Sequence, residues 1–138
     1  MNTTKYFTLA ELLQSNTALS CKIPNLPTWQ QVENLNRLAS SVLDPVRAKF
    51  GKPVKVSSGF RSPTLNSKVG GVNNSQHLQG LAADLQATDL KALKQAIINA
   101  NVPFDQLIEE SKGNTKWLHV SVAATGKTPR KQVLTITL

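Results

Sequence analysis

Val32, Leu35, Leu38, Ala39, Val42, Leu43 and Val46 recur at near-helical spacing through "TWQQVENLNRLASSVLDPVRAKF". That spacing lines them along one side of a helix, and so long an apolar stripe must be buried against a partner layer. Thr28 followed three residues later by Gln31 has the side chains of a capping box, which sets the helix start, and Pro45 is expected to kink it near its end. Thr8 and Glu11 repeat the capping device ahead of a short helix, "LAELLQS". A third amphipathic segment begins near Thr88, carries Leu90, Leu93, Ala96, Ile97 and Ala100 on one face, and ends before Pro103.

The covering layer is supplied by five runs with strand character: 54–58, 81–87, 105–110, 116–122 and 132–138. The expected fold is α+β, a small antiparallel sheet with helices packed on one side, forming a single domain over 1–138. Gly113-Asn114 suits a tight hairpin turn between the third and fourth runs. The polar, Gly-rich stretch "GFRSPTLNSKVGGVNNSQHLQG" separates the first two and reads as a structureless loop, a feature that in a small domain is usually functional.

Sixteen Lys and Arg against eight Asp and Glu give a net charge of +8, which favours a polyanionic partner. The basic residues are scattered, with no dense run and no aromatic-interleaved stripe, so charge does not choose among nucleic acid, an anionic membrane surface and a bacterial cell wall; nucleic acid, which rests on charge alone, is not the expected partner. No apolar run is long enough to span a bilayer, and "MNTTKYFTLAELLQS" lacks the basic start and apolar region of a secretory signal. The expectation is a monomer made in a cytoplasm and kept there until something releases it, without a membrane partner. Cys21, the single cysteine, cannot form an internal disulfide and is expected to be a buried small apolar residue.

Only two histidines are present, in "SQHLQGLAAD" and "KWLHVS". With Asp84 they make a candidate zinc set: two imidazoles and a carboxylate, leaving a fourth position open. Gly80 would let the chain turn back after His77, and the period of two puts Ala82, Asp84 and Gln86 on one strand face with Ala83, Leu85 and Ala87 on the other. His119 shares its face with Trp117 and Ser121. The competing reading makes both histidines structural and Asp84 a cap for the helix starting near Thr88; spacing alone does not decide between the two.

"SQHLQGLAAD" matches the Ser-x-His-x-x-Gly-x-Ala-x-Asp signature of the M15 zinc peptidases, the D-alanyl-D-alanine carboxypeptidase and endolysin peptidase group. "WLHVS" resembles their second zinc motif, and "SSGFRSPTLN" the segment ahead of both. The likeness extends through "YFTLAELLQSNTA" and "LDPVRAKFGKPVKVSSGF", and is strongest to the short, single-domain branch common in phages. It implies a fold like that of the D-Ala-D-Ala peptidases and the zinc domain of hedgehog proteins. It also implies zinc on His77, Asp84 and His119, and hydrolysis of peptide bonds in the peptidoglycan of the cell wall. Arg61 would stabilise an oxyanion or hold a substrate carboxylate. Ser75, Gln106 and Trp117 are the other expected substrate contacts; Ser75 would orient backbone or a ligand, and for Trp117 core packing competes with a place in a substrate wall.

One position breaks the resemblance. Better-known members carry an Asp or Glu three residues before the last histidine as general base, and here Lys116 stands there. A lysine cannot do that work without a large pKa depression. Either another carboxylate serves, or the protein is a zinc-containing wall-binding or virion module that does not cut. If Gly113 and Asn114 form the turn, Glu110 lies opposite Trp117 and diagonal to His119, with Gln106 and Ile108 on the same face. A register slip by one would present Glu109 instead. Glu110 is the expected base.

Overall fold

The computed structural model describes residues 4–138, so the first three residues of the N-terminal stretch lie outside it. Two short helices open the chain, α1 (Leu9–Leu13) and α2 (Asn16–Ser20), the first with the Thr8–Glu11 capping box complete. The long stripe forms α3 (Trp29–Leu38), a π-helical turn at Ala39–Leu43, and α4 (Asp44–Phe50). Pro45 accounts for the widened turn just before it: it brings no N–H and crowds the carbonyl four residues back, and the Asp44 N–H bonds to Ala39 O, five residues back.

Five strands follow: β1 (Lys55–Ser58), β2 (Ala82–Gln86), β3 (Gln106–Lys112), β4 (Thr115–Ser121) and β5 (Gln132–Thr137). Helix α6 (Leu90–Asn99), capped by Asp89, joins β2 to β3. The sheet order is β1-β2-β4-β3-β5. All neighbours are antiparallel except β3 and β5, so the sheet is mixed and not purely antiparallel. The reason lies in the connection. β4 ends beside the start of β3, and the segment 122–131 stays at that end, where Gln132 N–H bonds to Asp105 O; β5 can then only run the way β3 runs.

One face of the sheet presents Ala83, Leu85, Leu107, Leu118 and Val120 to the helices. They form one core with Leu35, Leu38, Val42, Leu43 and Val46 of the stripe and Leu93 and Ile97 of α6. The other face carries Asp84, Glu110, Trp117 and His119 and is covered by the segment between β1 and β2. That segment is not structureless: it folds into α5 (Pro63–Lys68), with Ser62 capping it and Pro63 in its first turn, and a 3-10 turn at Gln76–Gln79. Cys21 is exposed, because it closes α2 in a turn at the surface and does not pack inward.

Gly80 ends the 3-10 turn at φ 72°, and a Cβ there would lie 2.6 Å from Gln31 O and 3.2 Å from Leu35 Cγ. Both the left-handed backbone and the close approach to α3 exclude a side chain. Gly80→Ala is therefore expected to destabilise the protein by about 2 kcal/mol or more, measured by urea unfolding; an unchanged midpoint would refute this account of the turn.

Candidate metal centre

The antiparallel pairing of β2 with β4 sets Asp84 directly opposite His119. His77 reaches the same point from the 3-10 turn. Its N–H bonds to Ser75 Oγ, its carbonyl accepts from Arg61 N–H, and the turn is tied to α3 by Gln31 Nε2 to Leu78 O and Asn34 Nδ2 to Gln79 O. Asp84 Oδ1 lies 3.2 Å from both His77 Nε2 and His119 Nδ1, and the two rings meet edge-on with centroids 5.2 Å apart. All three side chains are buried, and their ligand atoms lie within 4.8 Å of one another.

The far side of each ring decides what the near side can do. His77 Nδ1 is 2.6 Å from Gly59 O, a pure acceptor, so Nδ1 carries the proton and Nε2 presents a lone pair. Gly59 can come this close to α1 only without a side chain, since a Cβ would meet Leu12 O at 2.3 Å. His119 Nε2 faces Gln76 Oε1 at 3.3 Å, which leaves Nδ1 as the inward atom. With the imidazoles neutral, three acceptors thus converge on one buried point with no donor among them. Such a cluster holds together only around a cation or on extra protons. Two imidazole nitrogens and a carboxylate oxygen are a suitable donor set for zinc. Burial works against the Asp84 charge; only where the rings of His77 and His119 carry the extra protons do their charge and hydrogen bonds outweigh it and hold the Asp84 pKa below the usual carboxylate range.

Arg61 grips the outer oxygen of Asp84, with Nη2 3.3 Å from Oδ2, and is braced by Nε to Ser58 Oγ and Nη1 to Asn66 Oδ1. A bulge in β1 between Val56 and Ser58 aims Ser58 toward it. Burial lowers the Arg61 pKa, partly offset by Asp84 and Glu110. The same arginine lines a small cleft with Ser15, Thr17, Ser57 and Ser58.

The hairpin register pairs Lys112 with Thr115 and Glu110 with Trp117. Glu110 Oε1 accepts from Trp117 Nε1 at 3.0 Å and stands 4.0 Å from His119 Nδ1. Glu109 points to the helix side, where Lys94 Nζ is 3.4 Å away. Lys116 pairs with Ser111 and shares the alternation of Leu118 and Val120, so it too faces away from the histidines, at the end of a groove with Lys55, Gln86 and Leu90. It displaces nothing at the centre. Ser75 touches the His77 backbone, and the Gln106 amide is engaged by Gln132 Oε1 at 2.7 Å on the β5 side; neither is hydrogen-bonded to the cluster side chains. Gln76, which sequence spacing did not single out, is hydrogen-bonded to His119; no periodicity marks it, only its place beside His77.

A family model described as Peptidase M15 matches residues 5–121. The chain belongs to the peptidase M15 family. Over 46 residues this M15 chain is 61% identical to the zinc D-Ala-D-Ala carboxypeptidase of Streptomyces albus G, a match covering 33% of the chain and 18% of that protein. The M15 match stops at the end of β4, so Arg130 and β5 lie beyond it.

Arg130 closes over Asp105 at the head of β3, with Nη2 to Oδ2 at 2.7 Å, Nε to both oxygens, and its own N–H to Oδ1. These bonds hold the Asp105 pKa below its ordinary value. A carboxylate shifted in that direction stabilises the fold above the unfolded-state pKa of roughly 3.9, and the contribution is lost as pH falls through the lower folded-state value. Asp105→Asn should accordingly melt below the wild type at pH 7, with the gap closing as pH drops below about 4. A gap independent of pH would show that the carboxylate charge contributes nothing.

Proposed function

We propose that residues 1–138 act as one monomeric, zinc-dependent peptidase that hydrolyses peptide bonds in bacterial peptidoglycan, in the manner of an endolysin. The observation that carries the reading is the convergence of His77 Nε2, His119 Nδ1 and Asp84 Oδ1 on one buried point, with both distal ring nitrogens facing acceptor oxygens. Membership of the M15 family and the name of the Streptomyces relative support zinc and the wall peptide, and a net charge of +8 suits an anionic wall. Among the described residues no helix is long and apolar enough to cross a membrane.

Bound zinc would supply Lewis acidity toward a carbonyl oxygen and toward water. The protein's own residues do the rest. Glu110 takes a proton from the attacking water and returns it to the leaving amine, a role supported by its approach to His119 and by the Trp117 indole N–H that holds one of its oxygens. Arg61, fixed on Asp84, lines the adjoining cleft, where its charge can steady negative charge on the substrate. Trp117 and the hydroxyl-lined cleft flank the place a peptide would occupy. Lys116 lies on the opposite sheet face and takes no part in this arrangement.

Protein purified without chelator, or reconstituted, should contain one zinc per chain by elemental analysis, and His77→Ala should lose the metal and melt at lower temperature. Full zinc in that variant would remove His77 from the site. Incubated with purified peptidoglycan, the wild type should release new amine termini in a chelator-sensitive reaction. Glu110→Gln should keep zinc and fold while losing roughly two to four orders of magnitude in turnover, and Glu109→Gln should lose little. The opposite ranking, or no release from any peptidoglycan type tried, would overturn the assignment.

A further inference from the structure

The His119 ring is held by a chain of groups whose donor and acceptor roles leave no choice. Arg130 only donates. Asp105, ionised, only accepts, and besides Arg130 it takes a hydrogen bond from Gln76 Nε2 at 3.1 Å. The amino end of the Gln76 side chain is therefore committed to Asp105, and its carbonyl end must face the other way, toward His119 Nε2 at 3.3 Å. An amide free of Asp105 could turn over and offer N–H instead, which would place the His119 proton on Nδ1, the atom that points at Asp84.

We infer that Gln76 is a positioning residue for the metal centre. Polarised by Asp105 and Arg130, it fixes His119 with its proton on Nε2 and its lone pair on Nδ1. Gly59 O does the same for His77 from the backbone. For His119 the task falls to a side chain, and its orientation is set by a salt bridge whose basic partner lies past residue 121, outside the stretch matched by the family model. The connection before β5 thus reaches the metal centre through three side chains. The consequence for zinc affinity rests on the zinc reading above; the orientation of the ring does not.

The test uses the full chain, metal-free and zinc-loaded, with two readouts: zinc affinity by chelator competition, and the imidazole N–H resonances in nitrogen-15 spectra. In the wild type a His119 Nε2–H resonance, slow to exchange with water, is expected in both forms. Gln76→Leu keeps the volume but removes the acceptor; it should lose that resonance and weaken zinc binding by roughly 10- to 100-fold. Gln76→Glu sets two carboxylates against each other and should also bind zinc more weakly. Adding Asp105→Asn, which gives the new glutamate an amide donor, should restore both the resonance and the affinity. This rescue separates orientation from mere packing, and it stands if Gln76→Leu fails to fold. A Gln76→Leu protein that retains the slow N–H and binds zinc as the wild type does, or a double variant no better than Gln76→Glu, would overturn the inference. If the wild type binds no zinc, the metal reading fails, while the Nε2–H resonance of the metal-free protein still decides the role of Gln76.

Discussion

The pairing of Asp84 with His119 across β2 and β4 is the constraint on which the site depends. It is fixed from the opposite side of the sheet. Ala83, Leu85, Leu118 and Val120 have to face the helices, and a slip of one residue in either strand would send them into the polar side and Asp84 and His119 into the core. Hydrophobic burial on one face therefore sets the chemistry on the other. The hairpin transmits the same register to β3, which is why Glu110 and not Glu109 comes near His119.

Once Asp84 and His119 are aligned, the remaining work is to bring His77 down onto them and to orient three polar groups that repel one another when the site holds no cation. The backbone does part of this: Gly59 and Gly80 permit two close approaches, to α1 and to α3, and the carbonyl of Gly59 holds the outer nitrogen of His77. The side-chain carbonyl of Gln76 holds that of His119. Arg61 neutralises the Asp84 oxygen that faces away from the histidines.

The elements readable in the sequence were those with strong periodicity: the α3–α4 stripe, α6, all five strands and the β3–β4 register. The direction of β5 was not readable, because a strand's own pattern says nothing about which neighbour it joins or which way it runs. α5 was passed over since only Leu65 and Asn66 of it are buried, although Ser62-Pro63 announces a helix start. Cys21 defeated an expectation based on residue type alone. At the centre, motif spacing pointed to His77, Asp84 and His119, which the fold brings together. It gave no reason to choose Gln76, whose importance comes from Asp105 and Arg130, far away in the chain. Lys116, three residues before His119, faces the helix layer, because an odd step along a strand changes face.

That alternation has a wider meaning. Glu109 and Glu110, or Lys116 and Trp117, are adjacent in the chain but belong to different environments, one answering to the helix layer and its solvent edge, the other to the chemistry of the polar face. Substitutions at one parity act on the packing of the helix layer, and at the other on the polar cluster. The helix layer can therefore be altered with the polar face unchanged, or the polar face on an unchanged core, because the pleat of the sheet holds the two sets of constraints apart.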